Sequence, residues 1–185
     1  MQIMLNRRNF IKTLGLVYGT ILLAPSCSSV PEPYYRVFTK PEIDCLIALS
    51  ERIIPADHDP GATDAGVINY IDKQTYLRFP NDLAIYRNGI VSLQAYCKGK
   101  HGQLFQQLAV AQQVEIMQQM ERDRLEQEYW QGSSQSTFFN LVLSRTMQGF
   151  YGSPRHGGNK DYVSYRMLKL DYPLLIGQNR YRNEK

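Results

Sequence analysis

Residues 39–55 read Thr39-Lys40-Pro41-Glu42-Ile43-Asp44-Cys45-Leu46-Ile47-Ala48-Leu49-Ser50-Glu51-Arg52-Ile53-Ile54-Pro55. Ile43, Leu46, Ile47, Ser50, Ile53 and Ile54 recur at the spacing that puts them on one face of a helix. Both ends are also written in the sequence. Thr39 is a capping residue, Pro41 falls in the first turn where a missing N–H does no harm, and Glu42 can close a capping box. Pro55 stops the run. The stretch predicts an amphipathic helix, and the same period continues beyond it.

The segment Pro55–Thr63 is dense in breakers and reads as a turn between helices. Asp64 is placed to cap a second helix with Val67, Ile68 and Ile71 on one face, ending at Phe79-Pro80. Asn81 or Asp82 opens a third, carrying Leu83, Tyr86, Ile90, Leu93 and Cys97, with a loop over Lys98–Gly102. Phe105, Leu108, Val114, Ile116, Met117 and Met120 mark a glutamine-rich fourth segment running to about Leu125. Glu115, Glu121, Glu126 and Glu128 read as its solvated face. A fifth helix, roughly Ser136–Met147, is apolar around much of its circumference, which predicts a central position. From Gly149 onward glycines and aromatic residues replace the helical period. No strand pattern and no internal repeat is visible. The expected fold is all-α: a compact helical domain of about five helices over residues 38–176, with a long irregular aromatic C-terminal segment and a polar tail over 177–185.

Working towards the N-terminus, residues 27–37 read as a tether and residues 1–26 as an address. Arg7 and Arg8, then Phe10 and Lys12, precede an apolar stretch from Leu14 to Ala24. That stretch as a helix is about 16 Å long, roughly half of a bilayer core, so it fits a signal peptide rather than a span. The paired arginines match a twin-arginine export signal. Leu22-Leu23-Ala24-Pro25-Ser26-Cys27 resembles a lipoprotein cleavage site, and two outcomes stay open: lipidation of Cys27, or simple cleavage near Ala24. The expected location is periplasmic and membrane-associated.

Charge excludes one class of function. The chain holds 21 Lys and Arg against 17 Asp and Glu. Without Arg7, Arg8 and Lys12 the balance is close to neutral, which leaves no electrostatic footprint for nucleic acid. Cysteine use excludes others. Cys27, Cys45 and Cys97 form no CxxC or Cys/His cluster, so there is no signature for zinc, c-type haem or an iron–sulfur centre. Cys45 and Cys97 fit either a disulfide or two buried thiols. G-x-S-x-G and G-x-G-x-x-G are absent.

The most chemical-looking cluster is Asp57-His58-Asp59. With Asp64 and Gly61 it faintly resembles a calcium loop, but the position where such a loop needs a bidentate Glu is Ile68. His58, His101 and His156 each fall in an expected loop. A free-standing metal-dependent enzyme using Asp57, His58, Asp59 and His156 is one alternative, and a lipid-anchored binding module is another.

Two stretches point elsewhere. Arg52-Ile53-Ile54-Pro55-Ala56-Asp57…Asp59-Pro60-Gly61-Ala62…Ala65-Gly66-Val67…Tyr70-Ile71-Asp72, with Gly149-Phe150-Tyr151-Gly152-Ser153-Pro154…Gly157-Gly158-Asn159, resembles the gluconate 2-dehydrogenase subunit 3 family over most of residues 38–173. The chain departs from the family pattern at Ser164-Tyr165, where Gly-Trp is usual. The resemblance implies a small non-catalytic subunit with no cofactor, metal or catalytic residue of its own. FAD would sit on a large dehydrogenase subunit, and c-type haem on a third subunit where a cytochrome accepts the electrons. The other partners implied are the twin-arginine translocase and the membrane, reached through a partner or a lipid anchor. Phe150, Tyr151, Pro154, Gly157, Gly158, Asn159 and Tyr165 are the expected contact residues, with the loop 55–64.

Overall fold

A computed structural model of the chain describes residues 35–170. Arg7, Arg8, Phe10, Lys12, Cys27 and the tail over 177–185 lie outside the described residues. Six α-helices follow in order: α1 Lys40–Ile53, α2 Val67–Leu77, α3 Asp82–His101, α4 Val110–Glu121, α5 Gln135–Tyr151 and α6 Val163–Met167. Short 3-10 turns stand at Phe105–Gln107, Gln127–Tyr129, Pro154–His156 and Lys160–Tyr162. There is no strand among the described residues, and no helix there is long and apolar enough to cross a membrane.

Helix α5 is the hub, although it is buried along one broad face only and Thr137, Asn140, Ser144, Met147, Gln148 and Tyr151 are exposed on the other. It packs against each of α1, α2, α3, α4 and α6. Phe138, Val142 and Phe150 are buried along it. Its approach to α3 depends on Gly89: a Cβ there would lie 2.3 Å from the Phe138 ring, so only a glycine lets the ring seat against the helix backbone. Towards α1, the buried Thr146 hydroxyl donates to Ser50 Oγ at 3.1 Å. Arg145 joins α5 to the start of α3. Its guanidinium donates to Asp82 at 2.8 Å and lies 3.6 Å from the centre of the Phe79 ring.

Local signals set the helix ends with mixed accuracy. Glu42 accepts the Thr39 N–H at 2.7 Å and the Thr39 hydroxyl at 2.9 Å, so α1 starts where expected. Asp64 does not cap α2. The N-cap is Gly66, in a left-handed conformation, and Asp64 turns back to accept the Gly61 N–H at 3.0 Å. Helix α3 runs through Lys98 to His101, so His101 ends a helix rather than lying in a loop. Phe105 is in a 3-10 turn before α4, and α4 ends at Glu121, leaving Glu126 and Glu128 beyond it. Glu126 pairs with Lys100 at 2.6 Å. Helix α5 extends four residues past Met147.

The buried Gln113 and Gln135 and the half-buried Gln94 join the pieces where backbone groups lack helical partners. The Gln135 amide donates to Leu125 O and accepts from Leu125 N, both at 3.0 Å. Gln113 donates to Phe105 O at 2.9 Å, and Gln94 accepts from Phe105 N at 3.0 Å. Near the start of the described chain, Asp72 does the equivalent work. It is fully buried on α2 and accepts the N–H groups of Arg36 and Val37 at 2.9–3.0 Å, with the Arg36 guanidinium at 3.3 Å. This fixes where the chain enters the domain.

Cys45 and Cys97 are free and buried. Burial is the main cause that pushes both thiols up, Cys97 to about 12, so neither is a thiolate near neutral pH.

Asp72→Ala is expected to cost about 3 kcal/mol in urea unfolding, because it strands two N–H groups and a cation. Arg36→Ala, which removes only the partly exposed partner, should cost under about 1 kcal/mol. Cys45 and Cys97 should resist a disulfide thiol reagent in the folded protein and react only on unfolding. A chain carrying a Cys45–Cys97 disulfide would release no thiol from these residues in denaturant.

Candidate functional site

The Glu51 carboxylate organises the loop that follows α1. Its Oε1 accepts the Ala56 N–H at 2.9 Å, and its Oε2 accepts both the N–H and the hydroxyl of Thr63, at 3.0 and 2.6 Å. Gly61 is obligatory in the fold-back, since a Cβ there would lie 2.5 Å from Ala56 N. Asp57, His58 and Asp59 stand at the exposed tip. His58 Nδ1 is 3.3 Å from Asp57 and Nε2 is 3.5 Å from Asp59, and one ligand atom from each residue falls within 4.8 Å of the others. All are solvated, and no other ligand-type side chain joins them among the described residues. The three histidines do not form one cluster.

The second motif folds back onto α2 and α5. Gly158 meets α5 so closely that a Cβ would lie 2.1 Å from Gly149 O. Asn159 is fully buried, with φ of 46°. Its Nδ2 donates to Gly152 O at 2.8 Å, and its Oδ1 accepts Ser164 N at 2.9 Å, so one side chain locks both ends of the turn. Three bonds then fasten the turn to α2 and the residues before it. Lys160 N donates to Ala65 O at 3.0 Å, Gln74 Nε2 to His156 O at 3.1 Å, and Lys73 Nζ to Arg155 O at 2.9 Å. The two motifs, far apart in sequence, therefore meet at the N-terminal end of α2.

The structure sorts the expected contact residues by exposure. Phe150, Gly158, Asn159 and Tyr165 are buried and hold the turn in place. Tyr151 is exposed, and Pro154 and Gly157 are half-buried. Beside them His156, one of the three histidines noted in the sequence, stands among cations that the sequence did not single out. Burial, then Arg155, Lys73 and Arg78, hold His156 below the usual imidazole range, so the imidazole is neutral at pH 7 and the fixed charges around it are all cations. Lys73 and Gln74 could have been found from the sequence only as polar residues inside a motif, which does not say what they bind.

A mostly apolar groove of about 430 Å³ lies between the start of α1 and α3, lined by Pro41, Ile90, Val91, Ala95 and Leu104. Glu42, Gln94, Lys98 and Gln106 are the polar residues of its lining. The family model described as gluconate 2-dehydrogenase subunit 3 matches residues 40–171, which takes in all six helices and both motifs. No curated protein and no solved structure matches the chain.

Asn159→Ala should lower stability by about 2–3 kcal/mol, since two buried bonds go and a residue with a side chain must hold a left-handed conformation. Asn159→Gly keeps the backbone conformation and should lose less. Thermal unfolding together with limited proteolysis after Gly149 measures both.

Proposed function

The chain belongs to the gluconate 2-dehydrogenase subunit 3 family, and on that premise we propose that it is a non-catalytic accessory subunit that escorts, exports and stabilises a flavin-dependent sugar or alcohol dehydrogenase. The observation that carries this reading is the family match over the whole helical body, attached to a leader with Arg7 and Arg8. A twin-arginine route moves proteins already folded, commonly because a cofactor was inserted inside the cell. The body of this chain has no motif for holding one. A cofactor-bearing partner without a signal of its own, carried across with this chain, reconciles the two.

In this reading FAD sits on the large subunit, and a c-type cytochrome takes the electrons. Arg7 and Arg8 engage the translocase, and the assembly works in the periplasm, held at the membrane by a partner or by lipid on Cys27. The loop 55–64 and the turn from Gly149 face the partner. Burial of Phe150 and Asn159 supports this indirectly: they shape the turn, leaving Tyr151 and Pro154 as contacts. A preformed surface loses less conformational entropy on docking than a loose segment would.

Arg7→Lys with Arg8→Lys should leave the dehydrogenase activity in the cytoplasm, with periplasmic activity falling at least about tenfold. Fractionation followed by a dye-reduction assay reads this. Undiminished periplasmic activity of the large subunit would refute the escort role.

A further inference from the structure

The C-terminal end of α2 and the residues after it form an unbroken exposed run beside the assembled turn: Tyr76-Leu77-Arg78-Phe79-Pro80-Asn81. Tyr76 and Leu77 are each 57% exposed, an unusual state for two consecutive large apolar residues on a helix whose other face is core. Lys73 lies four residues before Leu77, one helical turn away on the same face. The Pro154–His156 turn is pinned alongside by the bonds from Lys73 and Gln74, which places Arg155 at the edge of the same patch.

The charges around this patch share one sign. Arg78 and Arg155 form no ion pair among the described residues, and Lys73 donates to a neutral carbonyl. The nearby acids are committed elsewhere: Asp72 is buried against Arg36, and Asp82 is held by Arg145. The chain without its leader is nearly neutral, so this is a local concentration of cations and not general basicity. An apolar centre with aromatic and arginine residues around it has the composition of a binding hot spot, and uncompensated cations at the rim select an acidic counterpart.

We propose that the Lys73, Tyr76, Leu77, Arg78 and Arg155 face is where this chain docks a complementary surface of the dehydrogenase large subunit, one with an apolar centre and an acidic rim. The proposal rests on the accessory-subunit reading and deepens it by naming the surface and the chemistry of its counterpart. Tyr76 and Leu77 lose their exposed area to the partner, and the cations steer and register the encounter. Because the rim is exposed, its contribution is screened by salt while the apolar contribution is not.

The test uses the full mature chain and the purified cognate flavoprotein large subunit, with affinity measured at low and high salt. Arg78→Glu with Arg155→Glu should weaken binding about tenfold or more at low salt and reverse the sign of its salt dependence. Tyr76→Ser with Leu77→Ser should weaken it at both salt concentrations. Arg122→Glu with Arg124→Glu, exposed beyond α4, should leave it unchanged. Circular dichroism and the unfolding midpoint show that each variant is folded. If the wild-type chain binds no flavoprotein, the accessory-subunit reading falls and this proposal with it. If wild type and the reversed variant bind equally, the face is wrong and the reading stands. Vesicles of phosphatidylcholine carrying phosphatidylglycerol supply a further arm: reversal that abolishes vesicle binding but spares the flavoprotein would assign the face to lipid and overturn the proposal.

Discussion

The architecture depends on burying one broad face of α5, while Thr137, Asn140, Ser144, Met147, Gln148 and Tyr151 stay exposed along the other. Phe138, Phe139, Val142 and Phe150 gather within about a third of its circumference, an apolar face broad enough for four other long helices to be laid against it. Close packing then demands small residues where backbones approach. Gly89 makes room for the Phe138 ring on the α3 side. Gly149 admits Tyr70 from α2 on one flank while its carbonyl receives Gly158 on another. The C-terminal turn is thus part of the packing around α5, added after the helix ends.

This has a functional consequence. Once Gly158 and Asn159 are seated, the turn has one place to lie, and Gln74 and Lys73 tie it along α2. The surface presented there is built from two distant parts of the chain but is fixed before any partner arrives. A protein that escorts another through a route for folded cargo needs such a surface at the moment of docking. In the assembly we propose, the redox chemistry resides elsewhere and this chain contributes an address and a shape. The buried Cys45 and Cys97 suit that role, since burial makes their thiolates scarce and keeps them from exchange.

Much of the helix inventory was legible because period and punctuation agreed. Residues 39–55 carried a cap, a first-turn proline, a regular apolar face and a terminal proline, and α1 forms there. The central place of α5 followed from its apolar composition, but its exposed face, marked by Thr137, Asn140, Ser144 and Gln148, shows that burial is one-sided. The errors came where a short polar residue had several local uses. Asp64 looked like a cap, but the chain bends at Gly66 and the carboxylate serves the loop instead. His101 looked like a loop residue because Lys98, Gly99 and Lys100 weaken the helical period, yet α3 continues until Gly102 can end it. Glu51, Asp72, Gln113 and Gln135 carried no signal of their role, because their partners are backbone groups brought near only by the tertiary fold. The two family-like motifs were readable as sequence, but their meeting through Lys160 and Ala65 was not.

The central claim is that the chain is one part of a flavoprotein assembly and holds no redox group itself. It is tested most directly by isolating the tagged mature chain from the periplasm, recording its absorption spectrum and metal content, and then repeating both after separating the polypeptides. The account predicts flavin absorbance in the assembly together with a larger polypeptide, and a colourless, metal-free small chain after separation. Flavin, haem or metal retained by the small chain alone, with turnover of a substrate, would contradict it.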